Sequence, residues 1–150
     1  MTTAQEDKST IKTLSTEDQQ TFISLAKQDI THIMRELNQN FWKRKPKMMN
    51  PHPVSIKRYK SYRQPRIKQR VSCPEIGVFA FVTEQQIGHW RSEPQLQYYL
   101  YVLTARSGRS ERKVVDQGYE LEGDATISIL EVKQEYIVIK TKSGRMTILL

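Results

Sequence analysis

Ile76-Gly77-Val78-Phe79-Ala80-Phe81-Val82 is the stretch on which the fold turns. An unbroken apolar run of this length is expected of a strand covered on both faces, whereas a half-buried strand alternates. Its neighbours support a sheet. Gln95 to Ala105 is rich in Tyr and apolar residues, with Leu96, Tyr98, Leu100 and Val102 on one face, and Ser107-Gly108 offers a turn. Arg112 to Val115 is a short strand candidate, while Thr126 to Val132 and Tyr136 to Thr141 alternate on a period of two. Ser143-Gly144 then makes a hairpin turn into Arg145 to Leu150. Five or six short strands joined by tight turns predict a small antiparallel barrel or meander over residues 71–150. A unit of about 80 residues lies near the lower limit for independent stability. It contains its own hairpins and is expected to fold alone, unless a helix must cover one sheet face.

Toward the N-terminus the periodicity changes. Phe22, Ala26, Ile30, Ile33, Leu37 and Phe41 recur at spacings of three or four, and Leu25 and Met34 widen the stripe. Ser15 and Thr16 precede Glu17 and Asp18, an arrangement in which a hydroxyl caps free amides and acids meet the positive end of the helix dipole. The spacing predicts an amphipathic helix over residues 15–42, with Lys27, Gln28, Arg35 and Gln39 on its solvated side. Its apolar stripe, in particular Phe22, Ile30, Ile33, Leu37 and Phe41, needs cover from the β-domain, a protein partner or a second copy of the chain. Residues 1–14 are polar and read as a tail. The fold class is thus α+β: a helix, a linker and a small antiparallel β-domain.

The linker, residues 43–70, carries the charge. The chain of 150 residues has a formal net charge of +8, and Lys43 to Arg70 holds 11 basic residues and no acidic one. Pro46 ends the helix, and Pro51, Pro53 and Pro65 bias their predecessors to extended geometry. The cations are Lys43, Arg44, Lys45, Lys47, Lys57, Arg58, Lys60, Arg63, Arg66, Lys68 and Arg70, with Tyr59 and Tyr62 interleaved. Cations meet phosphates and rings stack on bases, so this pattern points to nucleic acid. Another polyanion, such as acidic protein or an anionic membrane surface, satisfies the same charges.

Other chemistry has little support. The sequence contains no Gly-rich phosphate loop, no HExxH and no paired CxxC. His32, His52 and His89 are scattered, and His32 with Glu36 at i,i+4 reads as an exposed polar pair. Glu120, Glu122 and Asp124 read as a solvated acidic turn, and Trp42 and Trp90 as packing anchors. No catalytic residue, metal ligand or cofactor site is therefore expected. Cys73 is the only cysteine, which excludes an intrachain disulfide. Met1 to Thr10 lacks the apolar run of a signal peptide, and no stretch approaches a membrane span. The expectation is a cytoplasmic chain.

The segment Val115-Asp116-Gln117-Gly118-Tyr119-Glu120-Leu121-Glu122-Gly123-Asp124-Ala125, followed by Thr126 to Leu130, Tyr136 to Ile139 and Gly144 to Leu150, resembles the small periplasmic β-domain of type II secretion and type IV pilus assembly proteins. The resemblance covers about 40 residues and implies an antiparallel β-domain used for protein contacts. Two functional expectations follow. The first is a non-enzymatic, nucleic-acid-associated binding or scaffold protein, as in viral, phage or ribonucleoprotein assemblies, whose basic arm contacts phosphates while helix and β-domain contact protein. The second is a protein-interaction component of a secretion or pilus assembly machine.

Overall fold

The Ser15 hydroxyl accepts a hydrogen bond from the Asp18 amide at 3.1 Å, and that cap begins the first element of the computed structural model. The structure describes residues 13–44, 64–87, 95–120 and 127–150. Helix α1 runs Thr16–Arg44 with Glu17 and Asp18 in its first turn. Seven strands follow: β1 Arg66–Cys73, β2 Val78–Ile87, β3 Gln95–Thr104, β4 Ser110–Glu120, β5 Ser128–Val132, β6 Tyr136–Thr141 and β7 Gly144–Leu149. They form two antiparallel meanders, a four-stranded sheet in the order β1-β2-β3-β4 and a three-stranded sheet in the order β5-β6-β7. The architecture is mixed α+β, and no closed barrel is seen among the described residues.

Three layers result because the central strands are apolar on both sides. Along β2, Val78, Ala80 and Val82 face the small sheet, where Leu96, Tyr98, Leu100 and Val102 of β3 join Ile127, Ile129, Ile137 and Ile139. The intervening residues Phe79 and Phe81, with Tyr99, Tyr101 and Leu103, face the helix and meet Phe22, Ala26 and Leu37. Phe81 stacks on Tyr101 with ring centroids 5.1 Å apart. The apolar run from Val78 to Val82 is thus covered on both faces, as its lack of alternation predicts.

The helix stripe meets the chain's own sheet. Phe22, Leu37 and Phe41 are buried, and Ile30 and Ile33 pack half-buried against the same cluster. Of the three covers that the sequence leaves open for these five side chains, the β-domain, a partner or a second copy, the first is the one seen: they lie within the molecule's core. The physical reason is the row of aromatic rings on the large sheet, which would otherwise face water. Residues 71–150 alone would leave that face bare, so the helix belongs to the folded unit. Asp29 fixes its position by accepting the Ser110 amide at 2.6 Å where β4 begins. At the helix start, the Leu14 amide donates to the Glu75 carbonyl at 2.7 Å.

The chain reaches β2 through a 3-10 turn, Pro74–Ile76, that ends on Gly77 at φ +67°. A Cβ there would lie 2.7 Å from Ala105 Cβ and 3.1 Å from Leu14. Both the backbone conformation and the packing therefore require glycine. β1 begins before the expected boundary, at Arg66 rather than after Arg70, so the last part of the basic segment is strand. Its residues alternate exposed and half-buried, which is a period-two pattern with long cations on the outer positions.

Removing a ring from the helix–sheet layer tests the role of the helix. Phe22→Ala should lower the unfolding free energy by about 3–5 kcal/mol in urea denaturation. A loss below about 1 kcal/mol would mean that the helix is docked loosely and is dispensable to the core.

Candidate nucleic-acid interface

β1 pairs with β2 from Arg66 opposite Glu84 to Cys73 opposite Val78, with a bulge between Ile67 and Gln69. That register brings the end of the basic segment onto a buried acid. Glu84 is 4% exposed. One of its oxygens accepts from Arg66 Nε at 2.8 Å, and the other accepts from the Tyr98 hydroxyl at 2.6 Å. Lys68 Nζ stands 3.7 Å from the second oxygen. Burial alone would push the Glu84 carboxyl upward. The Tyr98 and Arg66 hydrogen bonds and the charges of Lys68 and Arg66 outweigh it and hold the carboxyl below its ordinary value.

Glu84 belongs to a buried polar run, Thr83-Glu84-Gln85-Gln86, that continues β2 beyond its apolar half. Its partners come from the facing strand. Gln85 Nε2 donates to Gln97 Oε1 at 2.6 Å and to the Tyr99 hydroxyl at 3.0 Å. The Arg112 guanidinium sits 4.7 Å from the centroid of the Tyr99 ring. The large sheet is therefore apolar at one end and polar at the other. The polar end is where the basic segment joins the fold.

The small sheet is held in register by a side chain. Gln69 of β1 donates to the Ile129 carbonyl at 3.0 Å and accepts the Ile129 amide at 2.8 Å. Its amide takes the place of a neighbouring strand along the edge of β5. At the other end of the strand, Gln134 Nε2 approaches the Ile76 carbonyl at 3.4 Å. β5 therefore runs beside β1 in the same sense.

The basic residues singled out in the sequence divide into three groups. Arg66 and Lys68 are engaged with Glu84, while Arg70 is exposed and makes no ion pair among the described residues. Lys43 and Arg44 lie in the last turn of α1. Lys45, Lys47, Lys57, Arg58, Tyr59, Lys60, Tyr62 and Arg63 lie outside the described residues, as do His52, His89, Trp90, Glu122 and Asp124. Glu120 closes β4. His32 and Glu36 form an exposed pair at 3.3 Å on the helix. Cys73 is a half-buried free thiol, and burial raises its pKa, with Glu75 adding to the effect.

No group of three His, Cys, Asp or Glu side chains among the described residues is placed to hold a metal ion. A cleft of about 220 Å³ is lined by Val102, Thr104, Arg106, Ser107, Glu111, Lys113 and Leu150. It is smaller than the roughly 300–1,000 Å³ of small-molecule sites. No described helix is long and apolar enough to cross a membrane. No protein family, curated protein or solved structure matches the chain.

Sequence reasoning passed over Glu84, Tyr98 and Gln69 as site-organising residues. Tyr98 was legible only as apolar. The available signal was the position of Thr83-Glu84-Gln85-Gln86 directly after a buried strand and before Gln95 and Gln97, which suits a polar ladder across a hairpin.

The Glu84 cluster makes stability pH-dependent. Because its folded pKa is depressed, the carboxylate stabilises the fold above its unfolded value, and that contribution is lost as pH falls through the folded pKa. Glu84→Gln should cost about 1–3 kcal/mol at neutral pH. It should also flatten the acid limb of a Tm–pH profile. An acid limb identical to wild type would show that Glu84 does not carry that dependence.

Proposed function

We propose that the protein is a non-enzymatic binding or scaffold protein that associates with nucleic acid through its basic segment. The observation that carries this reading is the absence of any acid among the 11 cations from Lys43 to Arg70. Elsewhere in the chain acids slightly outnumber bases, so the excess positive charge of the molecule resides in this segment.

The fold supports the reading in a specific way. Lys43 and Arg44 end a helix packed on the large sheet, and Arg66 begins a strand of that same sheet. Residues 45–63 are therefore joined at both ends to one packed body. A cationic segment held at two points loses less conformational entropy on binding than a free tail, and its reach is limited. Shape preference is a natural consequence. Arg66 and Lys68 are partly offset by Glu84 and act chiefly to fix the junction, leaving the cations nearer Lys57 to Arg63 to meet phosphates.

A second reading, protein contact in an assembly machine, draws on the small sheet. Leu130 and Leu149 are exposed there, Leu149 at 77%. The two readings differ in salt response, since apolar contact tolerates salt and phosphate contact does not.

Fluorescence anisotropy with a labelled DNA duplex separates them. Binding by the intact chain should weaken steeply with salt, each phosphate contact adding about −0.9 to the slope of log K against log salt. Replacing Lys57, Arg58, Lys60 and Arg63 together by Gln should make that slope shallower by roughly 0.9 for each phosphate these cations neutralise. A variant with wild-type affinity and slope removes the segment from the mechanism.

A further inference from the structure

The β6–β7 hairpin carries a charge arrangement that the fold itself does not explain. Lys140 on β6 stands directly opposite Arg145 on β7, and both are exposed. Like charges placed opposite each other destabilise an antiparallel pair. Neither cation makes an ion pair among the described residues, and residues 136–150 contain no Asp or Glu. Arg145 on an edge strand guards against unwanted strand pairing. Lys140 has no such role, because β6 is the central strand of its sheet.

The surroundings of this pair suit a phosphate. Ile137 and Ile139 are buried against the large sheet, so Lys140 projects from the outer face. Ser128 of β5 is its neighbour on the other side, which sets Ser128, Lys140 and Arg145 in one row across three strands. Lys142 lies in the adjoining turn. A hydroxyl donor beside two cations matches the oxygens of a phosphodiester.

Position decides the partner. Gln69 holds Ile129, and Gln134 lies against the Ile76 carbonyl, so the β5–β6 turn is at the Cys73–Val78 end of the large sheet. Leu150 lines a cleft with Thr104, Arg106 and Ser107, which places the far end of β7 there too. The β6–β7 turn is consequently at the opposite end, where Arg66 opens β1 and the basic segment joins the fold.

We infer that Lys140, Arg145 and Ser128 form a second phosphate-contacting surface on the outer face of the small sheet, reading the backbone of the same nucleic acid that the basic segment engages. This inference rests on the nucleic-acid reading above. The bound backbone would also relieve the repulsion between Lys140 and Arg145.

The test is the salt dependence of duplex DNA binding by the intact chain carrying Lys140→Gln and Arg145→Gln. The double variant should fold at least as well as wild type, because a like-charge pair is removed, and its melting temperature checks this. Its slope of log K against log salt should become shallower by about 1.8, at about 0.9 for each of the two cations. Arg106→Gln with Arg109→Gln, exposed cations at the other end, should leave the slope unchanged. A wild-type slope in the Lys140/Arg145 variant, while the Lys57–Arg63 variant loses binding, overturns this surface and leaves the segment's role intact. Absence of duplex binding by wild type overturns both. Loss of binding to phosphatidylserine vesicles with duplex binding retained would overturn it in favour of a membrane surface.

Discussion

Strands β2 and β3 are apolar on both faces, and two layers of cover are required to keep them from water. The helix covers the aromatic face of Phe79, Phe81, Tyr99 and Tyr101, and the small sheet covers the aliphatic face of Val78, Val82, Leu100 and Val102. At roughly 25 cal/mol per Å² of apolar surface, stripping either layer from such rings and branched chains removes a large share of the driving force for folding. Neither the helix nor the small sheet is an appendage. The connection from the helix to β1 of the large sheet, which includes the basic segment, is held at its ends by the same constraint.

The polar half of the central strands follows from the same geometry. β2 continues beyond Val82 into Thr83-Glu84-Gln85-Gln86, and these side chains are buried as well. Burial of a carboxylate requires compensation, which comes from Arg66, Lys68 and the Tyr98 hydroxyl. The first cations of β1 therefore have a structural task. Net charge alone overstates how many cations from this segment are free for a ligand. It also hides Lys140 and Arg145, which make no ion pair among the described residues and lie in a part of the chain whose overall balance is nearly neutral.

The elements legible in the sequence are those with one dominant signal. The helix had a stripe at three-to-four spacing and a Ser15 cap, and the structure has both. Tyr136–Thr141 alternates cleanly and forms β6 over those residues. β1 escaped because its alternation of Ile67, Gln69 and Val71 with Arg66, Lys68 and Arg70 was masked by charge density. The polar extension of β2 escaped because four polar residues resemble a loop until their cross-strand partners are known. The helix stripe was visible, but its destination depended on tertiary pairing that no local pattern encodes. For the proposed interface, the basic composition was legible. The placement of the Lys140–Arg145 pair at the same end was not, since it depends on hydrogen bonds between the two sheets.

The central claim is that a cationic segment fixed at both ends to a double-sided sheet engages nucleic acid. Amide hydrogen exchange of the intact chain, with and without a DNA duplex at low salt, tests it most directly. The account predicts slower exchange in peptides spanning residues 43–70 and no change at the β5–β6 turn. A complex that forms while exchange over residues 43–70 stays the same would contradict it.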